Sequence, residues 1–197
     1  SCDPPLQRGR LKWGRIVPAL GRRAESIADM NGVRRGPSRG GAVNGLLPCG
    51  LVYAAAVAAA GYGTPRRAVV GWDPSRLSMV LAVLEARCGL SFATAEVYLN
   101  IAGGYRLSDP AADLAVAAAL VSALSERPIP AEAVVMGEIA LSGEGRPVAH
   151  GALRLKEAAK LGFERGWIPA SLDAPGAMAT TRFAKLGELV DLIIGRG

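Results

Sequence analysis

Residues 106–124 read RLSDPAADLAVAAALVSAL, and this stretch decides how the chain folds. Asp109 is of the type that caps helices, and Pro110 suits a first helical turn. The apolar stripe that follows at helical spacing consists of Leu114, Ala117, Leu120, Val121 and Leu124. The pattern predicts a helix that begins at Pro110 or one residue to either side. Because its side chains are small, we expect this helix to pack closely against its neighbours.

Helical and strand patterns alternate along the chain on both sides of this stretch. Further helices are predicted at 73–89, 152–162 and 184–195, with Asp73 as the N-cap of the first. Strands are predicted at 97–101, 133–141 and 166–169, and the first of these alternates apolar and polar residues. The alternation favours an α/β fold, also describable as layered α+β, with helices packed on a mixed sheet.

The charge and the cysteines narrow the possible partners and compartment. The chain has 197 residues and a formal net charge of +6. This basic balance suits an anionic partner such as nucleic acid or a membrane surface, although arginine-rich proteomes also produce it without one. Cys2, Cys49 and Cys88 have no CxxC spacing, which argues against a disulfide framework and a zinc site. We therefore expect a reduced, cytoplasmic location.

The first sixty residues differ in character from the rest, so the sequence predicts two parts, 1–61 and 62–197. Residues 1–41 are rich in arginine, proline and glycine, and we expect them to be a poorly ordered basic segment. Residues 42–63 form an apolar run that approaches the ~20 residues of a membrane span. Asn44 and Pro48 weaken that interpretation. Two interpretations of this run stay open. One is a buried strand or helix, and the other is membrane association through residues 42–60. Residues 1–20 lack the apolar core of a signal peptide.

Most catalytic chemistries lack their residues in this sequence. His150 is the only histidine, and a lone histidine in a loop before a helix is usually a surface or capping residue. There is no G-x-x-x-x-G-K-[ST] phosphate loop and no histidine–carboxylate cluster, so we expect no nucleotide, metal or other cofactor. One possibility remains, a Ser–Lys dyad in which a buried lysine activates a serine.

Four segments carry a specific family resemblance. They are GTPRRAVVGWDPSRLSMVLAVLEARCGL (63–90), VYLNIAGGYRLSDPAADLAVAAALVSAL (97–124), VVMGEIALSGEGRPV (134–148) and ALRLKEAAKLGFERGWIPA (152–170). They resemble, in order and spacing, the carboxy-terminal Lon-protease-like domain of the RadA (Sms) family of bacterial DNA-repair proteins. The resemblance runs from about Tyr62 to the end and does not reach residues 1–60. In that family the preceding part is a RecA-like ATPase with a four-cysteine zinc motif. This sequence has neither, so residues 1–60 look like a foreign or misread segment.

The resemblance also bears on catalysis. In Lon proteases the corresponding helix start reads G-P-S-A-G, and its serine is the nucleophile. Here DPAAD at 109–113 places Ala111 at that position. The lysine of the Lon dyad aligns with Ala152, so the resemblance implies no catalytic residue. GPSRG at 36–40 matches the serine motif outside the domain, and we interpret it as coincidence. A residual peptidase that uses Ser108 or Ser142 with Lys156 is the alternative.

The resemblance implies a non-catalytic scaffold that forms a homo-oligomeric, hexameric ring, binds DNA and works with RecA-like recombination machinery. Contacts to DNA would be weak and independent of sequence, because the basic residues show no pattern for reading bases. A membrane is not an expected partner. The DNA-binding candidates are Arg66, Arg67, Arg154, Lys156 and Lys160, within a wider basic set that includes Arg76, Arg106 and Arg146.

Overall fold

The computed structural model describes the backbone of residues 53–59, and residues 65–101, 106–174, 176 and 178–195. The helices are α1 (Pro74–Cys88), α2 (Asp113–Ser125), α3 (Gly151–Lys160) and α4 (Leu186–Ile194), with a 3₁₀ turn at Pro110–Ala112 before α2. The strands are β1 (Tyr53–Ala59), β2 (Arg67–Val70), β3 (Ala95–Ile101), β4 (Ala133–Val135), β5 (Glu138–Ile139), β6 (Gly145–Arg146), β7 (Arg165–Pro169) and β8 (Ala179–Phe183). The α/β class is confirmed. Helical conformation begins at Pro110 as predicted, but as the 3₁₀ turn, and the α-helix itself begins at Asp113.

The described strands form two three-stranded sheets and a small hairpin. In sheet 1 the order is β1-β3-β2, with β1 antiparallel and β2 parallel to β3. In sheet 2 the order is β4-β7-β8, and all strands are parallel. Strands β5 and β6 pair antiparallel as the hairpin, with Ile139 opposite Gly145.

Helix α2 is the centre of the fold. Every residue from Asp113 to Ser122 is buried. The helix contacts β1 of sheet 1, β4 of sheet 2, β5 of the hairpin, and the helices α1 and α4. A helix that is buried all round must present small side chains to most of its neighbours, and the run AVAAAL at 115–120 does so. This explains why a core with few aromatic residues can pack here.

Helices cover sheet 2 on both faces. Leu155 and Ala158 of α3 share a core cluster with Val134, Met136 and Ile168 of sheet 2 and its flanks. The side chains next to these along each strand lie on the opposite face of the sheet, as the two-residue period of a strand requires. There Val135, Trp167 and Phe183 join the large cluster formed by α1, α2 and α4. Sheet 2 is therefore the middle layer of a three-layer arrangement.

The sequence-based element boundaries need two corrections. The predicted strand 133–141 is two short strands, β4 and β5, because the chain leaves sheet 2 at Met136-Gly137 and enters the hairpin. Strands β2 and β8 were not predicted at all. Their exposure patterns, with most positions solvent-accessible, lack the alternation that marks a half-buried strand.

The apolar run 42–63 contains a strand. Residues 53–59 pair with all of β3, from Tyr53 opposite Ile101 to Ala59 opposite Ala95. The proposed division at Tyr62 therefore falls between two strands of one sheet. Among the described residues, no helix has the length and apolar character needed to cross a membrane. The rest of the run at 42–52, and the predicted basic segment 1–41, lie outside the described residues.

Gly137 provides a test of the packing at the start of α2. A Cβ on this residue would lie 2.3 Å from Leu114 Cδ1 and 2.6 Å from Pro169 Cγ, and its φ of +155° disfavours side chains. We expect Gly137→Ala to lower the free energy of unfolding by about 1–3 kcal/mol, as overpacking of a core does. Urea denaturation measures this change.

The matched control is Gly187→Ala. Gly187 lies in α4 and has open space where a Cβ would be. Alanine is preferred over glycine in helices by about 0.5–1 kcal/mol, so this variant should be slightly more stable. Equal effects of the two substitutions would contradict tight packing at Gly137.

Candidate functional site

The segment DPAAD at 109–113 forms the corner where the chain enters α2. The Ala111 N–H donates to Asp109 Oδ1 at 2.9 Å, so Asp109 caps the 3₁₀ turn as the sequence predicted. Ala111 and Ala112 have no exposed surface. The position that the Lon resemblance assigns to the nucleophile therefore lies in the protein interior, where a substrate carbonyl has no access.

Backbone hydrogen bonds join this corner to the link between β4 and β5. The Gly137 N–H donates to the Ala111 carbonyl oxygen at 3.0 Å, and the Leu114 N–H donates to the Gly137 carbonyl oxygen at 3.0 Å. The absence of a side chain at Gly137 permits this close approach. The corner is a packed joint between α2 and the strands that follow it.

An ion pair between a fully buried carboxylate and a partly exposed arginine lies at the last residue of the corner. The carboxylate of Asp113 is fully buried and accepts two hydrogen bonds from Arg76 of α1, from Nε to Oδ1 at 2.9 Å and from a terminal nitrogen to Oδ2 at 2.7 Å. The Ile139 N–H donates a third, to Oδ2 at 3.2 Å. This bidentate pairing raises the pKa of the Arg76 guanidinium above its ordinary value, with burial acting in the opposite direction. Asp113 thus ties α1 and β5 to the first turn of α2.

A second ion pair flanks the corner and involves Arg154, one of the DNA-binding candidates. Arg154 of α3 donates to Asp109 Oδ2 and, through Nε, to the Ala149 carbonyl oxygen at 3.0 Å. Only 6% of its side chain is exposed. Arg154 therefore fixes the first turns of α3 against the corner, and its charge is not presented to an external phosphate.

Arg67, another DNA-binding candidate, is exposed and also makes contacts within the domain. Its guanidinium donates to the carbonyl oxygen of Phe92 at 2.7 Å and to that of Ala95. These bonds join the start of β2 to the segment that leads into β3. The head group of Arg67 is therefore engaged with the backbone of its own domain.

The three other candidates are exposed as well. Arg66 precedes β2, and Lys156 and Lys160 lie on α3; all three are exposed. Lys160 is 71% exposed and pairs with Glu157 at 2.7 Å. Because Lys156 and Lys160 are four residues apart, they share one face of the helix, as predicted. Arg106 and Arg146 of the wider set are exposed as well.

The residues of the alternative peptidase hypothesis do not form a dyad. Ser108 and Ser142 are both exposed, the first before the corner and the second in the turn between β5 and β6. Lys156 makes no hydrogen bond with either serine among the described residues. Ala152 lies in the first turn of α3, where the resemblance places the Lon lysine. His150 is the exposed residue before this helix and makes no side-chain cap bond. In the described part of the chain, no cluster of His, Cys, Asp or Glu could hold a metal ion.

Sequence reasoning missed the partners of the two aspartates. Asp113 opens an otherwise apolar run, and a carboxylate in such a run needs a buried partner. That signal was present, but it does not identify Arg76, which is 37 residues away along the chain. Arg154 is 45 residues from Asp109, and only the packing of α3 brings them together.

Comparisons with known proteins give one family and several relatives of a common name. A family model described as subunit ChlI of Mg-chelatase matches residues 58–171. A protein named DNA repair protein RadA from Brucella abortus is 48% identical over 166 residues, which cover 82% of this chain and 36% of that protein. A protein of the same name from Rickettsia felis is 51% identical over 123 residues, 62% of this chain and 28% of that protein. The matched region is therefore only about a third of the length of these relatives.

The Brucella abortus match corrects the expected start of the resemblance. A continuous match over 82% of the chain is longer than residues 62–197. Wherever it begins, it must include residues 42–61. The expectation that residues 1–60 do not match was therefore too broad, because the similarity reaches at least this part of the segment.

The buried ion pair at Asp113 can be tested against a surface pair of the same kind. Arg76→Ala leaves a fully buried carboxylate without its cation, and breaking a buried pair typically costs about 3–5 kcal/mol. Lys160→Ala removes a pair whose lysine is 71% exposed, which should cost less than about 1 kcal/mol. Chemical denaturation of both variants measures the difference. Similar losses of stability in the two variants would contradict the role of Asp113.

The closed corner also predicts the absence of peptidase chemistry. We expect no casein hydrolysis and no fluorophosphonate labelling, either in the natural sequence or in Ala111→Ser/Ala152→Lys, because residue 111 is buried. Loss of either member of such a catalytic unit removes most of its rate. Circular dichroism verifies that the double variant is folded, and an active serine peptidase serves as the positive control. Labelling that disappears in Ser108→Ala would overturn this prediction.

Proposed function

The chain belongs to the family described as subunit ChlI of Mg-chelatase, and its matched region is homologous to the Lon-like domain of RadA DNA repair proteins; from this premise we propose that it is a non-catalytic scaffold domain of a RadA-type DNA-repair and recombination protein. Its role is to support ring assembly and to hold DNA through phosphate contacts. RecA-like recombination machinery is the proposed setting.

The observation that carries this proposal is that the corner at 109–113 is a packed structural element. The Lon resemblance assigns Ala111 to the nucleophile position, and this residue has no exposed surface. The carboxylates on both sides of it are occupied by arginines from α1 and α3. Because both carboxylates are engaged in buried or part-buried ion pairs, a structural role of the corner is favoured over catalysis.

The proposed DNA contacts lie on the outer face of α3. Lys156 and Lys160 project from one face of this helix, and Arg154 anchors its first turns to Asp109. Cations on an anchored helix can contact phosphates without a large ordering cost. Arg66 is an additional exposed cation before β2. The overall charge of +6 favours association with a polyanion.

Charge reversal on α3 tests the DNA contacts. We expect Lys156→Glu/Lys160→Glu to weaken binding to all duplex sequences about equally, because phosphates carry no sequence information. The slope of log affinity against log salt should fall by roughly 0.9 for each phosphate that the variant no longer neutralises. Fluorescence anisotropy with two unrelated duplexes over a salt series measures both effects.

A control variant separates this face from net charge. Arg87→Glu/Arg127→Glu makes the same change in charge at the end of α1 and after α2, where both arginines are exposed. All variants retain residues 1–41, so any DNA binding by those arginines contributes equally. The control should bind clearly better than the α3 variant. Equal weakening in both variants, or binding that ignores salt, would contradict the proposed DNA contacts.

Ring assembly has its own test. We expect concentration-dependent self-association in light scattering, weaker than that of the longer relatives, whose additional length would supply further contacts. The interface should rest on the domain itself, so removal of residues 1–41 should leave the oligomeric state unchanged. A strict monomer at the highest attainable concentration would count against the scaffold proposal.

A further inference from the structure

The carboxylate of Asp109 serves two different elements, one with each oxygen. Oδ1 accepts the hydrogen bond from the Ala111 N–H at 2.9 Å and so caps the 3₁₀ turn before α2. Oδ2 accepts from a terminal nitrogen of Arg154 in α3. The Asp109 side chain is 26% exposed, whereas that of Arg154 is 6% exposed. A single side chain therefore joins the start of α2 to α3.

The start of α3 has no side-chain cap of its own. His150 occupies the N-cap position with a φ of +58° and makes no side-chain cap bond. Gly151 packs against Leu172, and the Arg154 side chain donates through Nε to the Ala149 carbonyl oxygen at 3.0 Å. Arg154 thus connects the residues that lead into α3 with the carboxylate of Asp109.

Helix α3 packs on the other described elements less extensively than α1, α2 and α4 do. Its apolar side consists of Leu155 and Ala158, which join the small cluster on sheet 2. Apolar contacts have no preferred direction, whereas a charge-assisted hydrogen bond from an arginine to a carboxylate is directional. The pair between Arg154 and Asp109 therefore sets the rotation of α3 about its own axis more closely than its apolar contacts do.

This rotation determines where the two lysines of α3 point. Successive residues of an α-helix are ~100° apart, so Lys156 and Lys160 lie about 200° and about 240° around the axis from Arg154. Arg154 is buried and both lysines are exposed, as this arrangement requires. Any change in the rotation of the helix at Arg154 moves both ammonium groups together.

We propose that Asp109 is a positioning residue for DNA binding: by holding Arg154, it fixes the orientation in which Lys156 and Lys160 meet phosphates. The inference rests on the proposed DNA contacts of α3. Asp109 does not itself contact the DNA, and its negative charge opposes the binding of a polyanion. Neutralising Asp109 should therefore weaken binding only if the orientation of α3 matters more than this charge.

The test compares Asp109→Asn with Asp73→Asn in the full-length chain. Asp73 is exposed and caps α1 by accepting from the Ser75 N–H at 2.8 Å. Asparagine is about as good an N-cap as aspartate, so both variants keep a capping residue. Its side chain has only one oxygen, so at position 109 it can accept from the Ala111 N–H or from Arg154 but not from both. Both substitutions raise the net charge by one.

Affinity for a DNA duplex is measured by fluorescence anisotropy over a salt series, and circular dichroism verifies that each variant is folded. We expect Asp73→Asn to bind as well as the natural sequence or slightly better, because its net charge is more positive. Asp109→Asn should bind about three- to tenfold more weakly, because α3 must then be ordered on binding. Its salt slope should stay at the natural value, since the same lysines make the contacts.

A second pair of variants decides the question if Asp109→Asn does not fold. Arg154→Gln removes the buried cation and leaves the partly exposed carboxylate of Asp109 to water, and Arg87→Gln removes an exposed arginine at the end of α1 as its control. Arg154→Gln should weaken binding more than Arg87→Gln does, with the natural salt slope. A slope lower by roughly 0.9 would show that Arg154 itself contacts a phosphate, which would overturn the proposal.

Two results with the asparagine variants would also overturn it. One is equal affinity of Asp109→Asn and Asp73→Asn. The other is tighter binding by Asp109→Asn with a salt slope steeper by roughly 0.9, which would mean that the released Arg154 binds a phosphate. Weakening by Lys156→Glu/Lys160→Glu in the same assay would leave the proposed DNA contacts intact in both cases. If that variant binds as the natural sequence does, the DNA contacts are wrong and this inference fails with them.

Discussion

The carboxylate of Asp113 is the group on which the rest of this structure depends. It is fully buried at the first turn of the central helix, and it accepts hydrogen bonds from Arg76 and from the Ile139 N–H. A buried charge is tolerated only when it is paired and hydrogen-bonded. The requirement fixes α1, α2 and β5 relative to one another, and α2 in turn contacts both sheets.

The second ion pair extends the same principle to α3. Arg154 joins this helix to Asp109, four residues before Asp113, so both sides of the corner are held by arginines from other helices. Ala111 between them is sealed from solvent. In the proposed scaffold, these two ion pairs would hold the DNA-binding side of α3 in a fixed position relative to the core. This suits a domain that positions its partners and catalyses no reaction.

The sequence predicted the parts of this fold that are governed by local signals. Two helix starts were predicted from cap and proline signals, at Asp73-Pro74 and at Asp109-Pro110. The structure has an α-helix at the first and a 3₁₀ turn at the second. Strands β2 and β8 were missed because their partially exposed residues lack alternation.

The candidate site shows the same division between local and tertiary signals. The sequence predicts a DNA contact at Arg154 because it is a basic residue on a helix. Its partner Asp109 is 45 residues away, and sequence spacing carries no information about such a pair. The spacing of Lys156 and Lys160 is local, so their common helix face could be predicted, whereas their contact with DNA stays a prediction. Exposure of a basic side chain is thus decided by tertiary packing, which the sequence pattern does not contain.

Native-state hydrogen exchange at the corner tests this account most directly. Three amide hydrogens report on the corner. The Leu114 N–H donates to the Gly137 carbonyl, and the Gly137 N–H donates to the Ala111 carbonyl. The Ile139 N–H donates to the Asp113 carboxylate. If the corner is the joint on which the fold depends, all three should exchange only through global unfolding, with the same free energy as denaturant unfolding gives. Exchange of these three amides through local opening, at free energies well below the global value, would contradict the account.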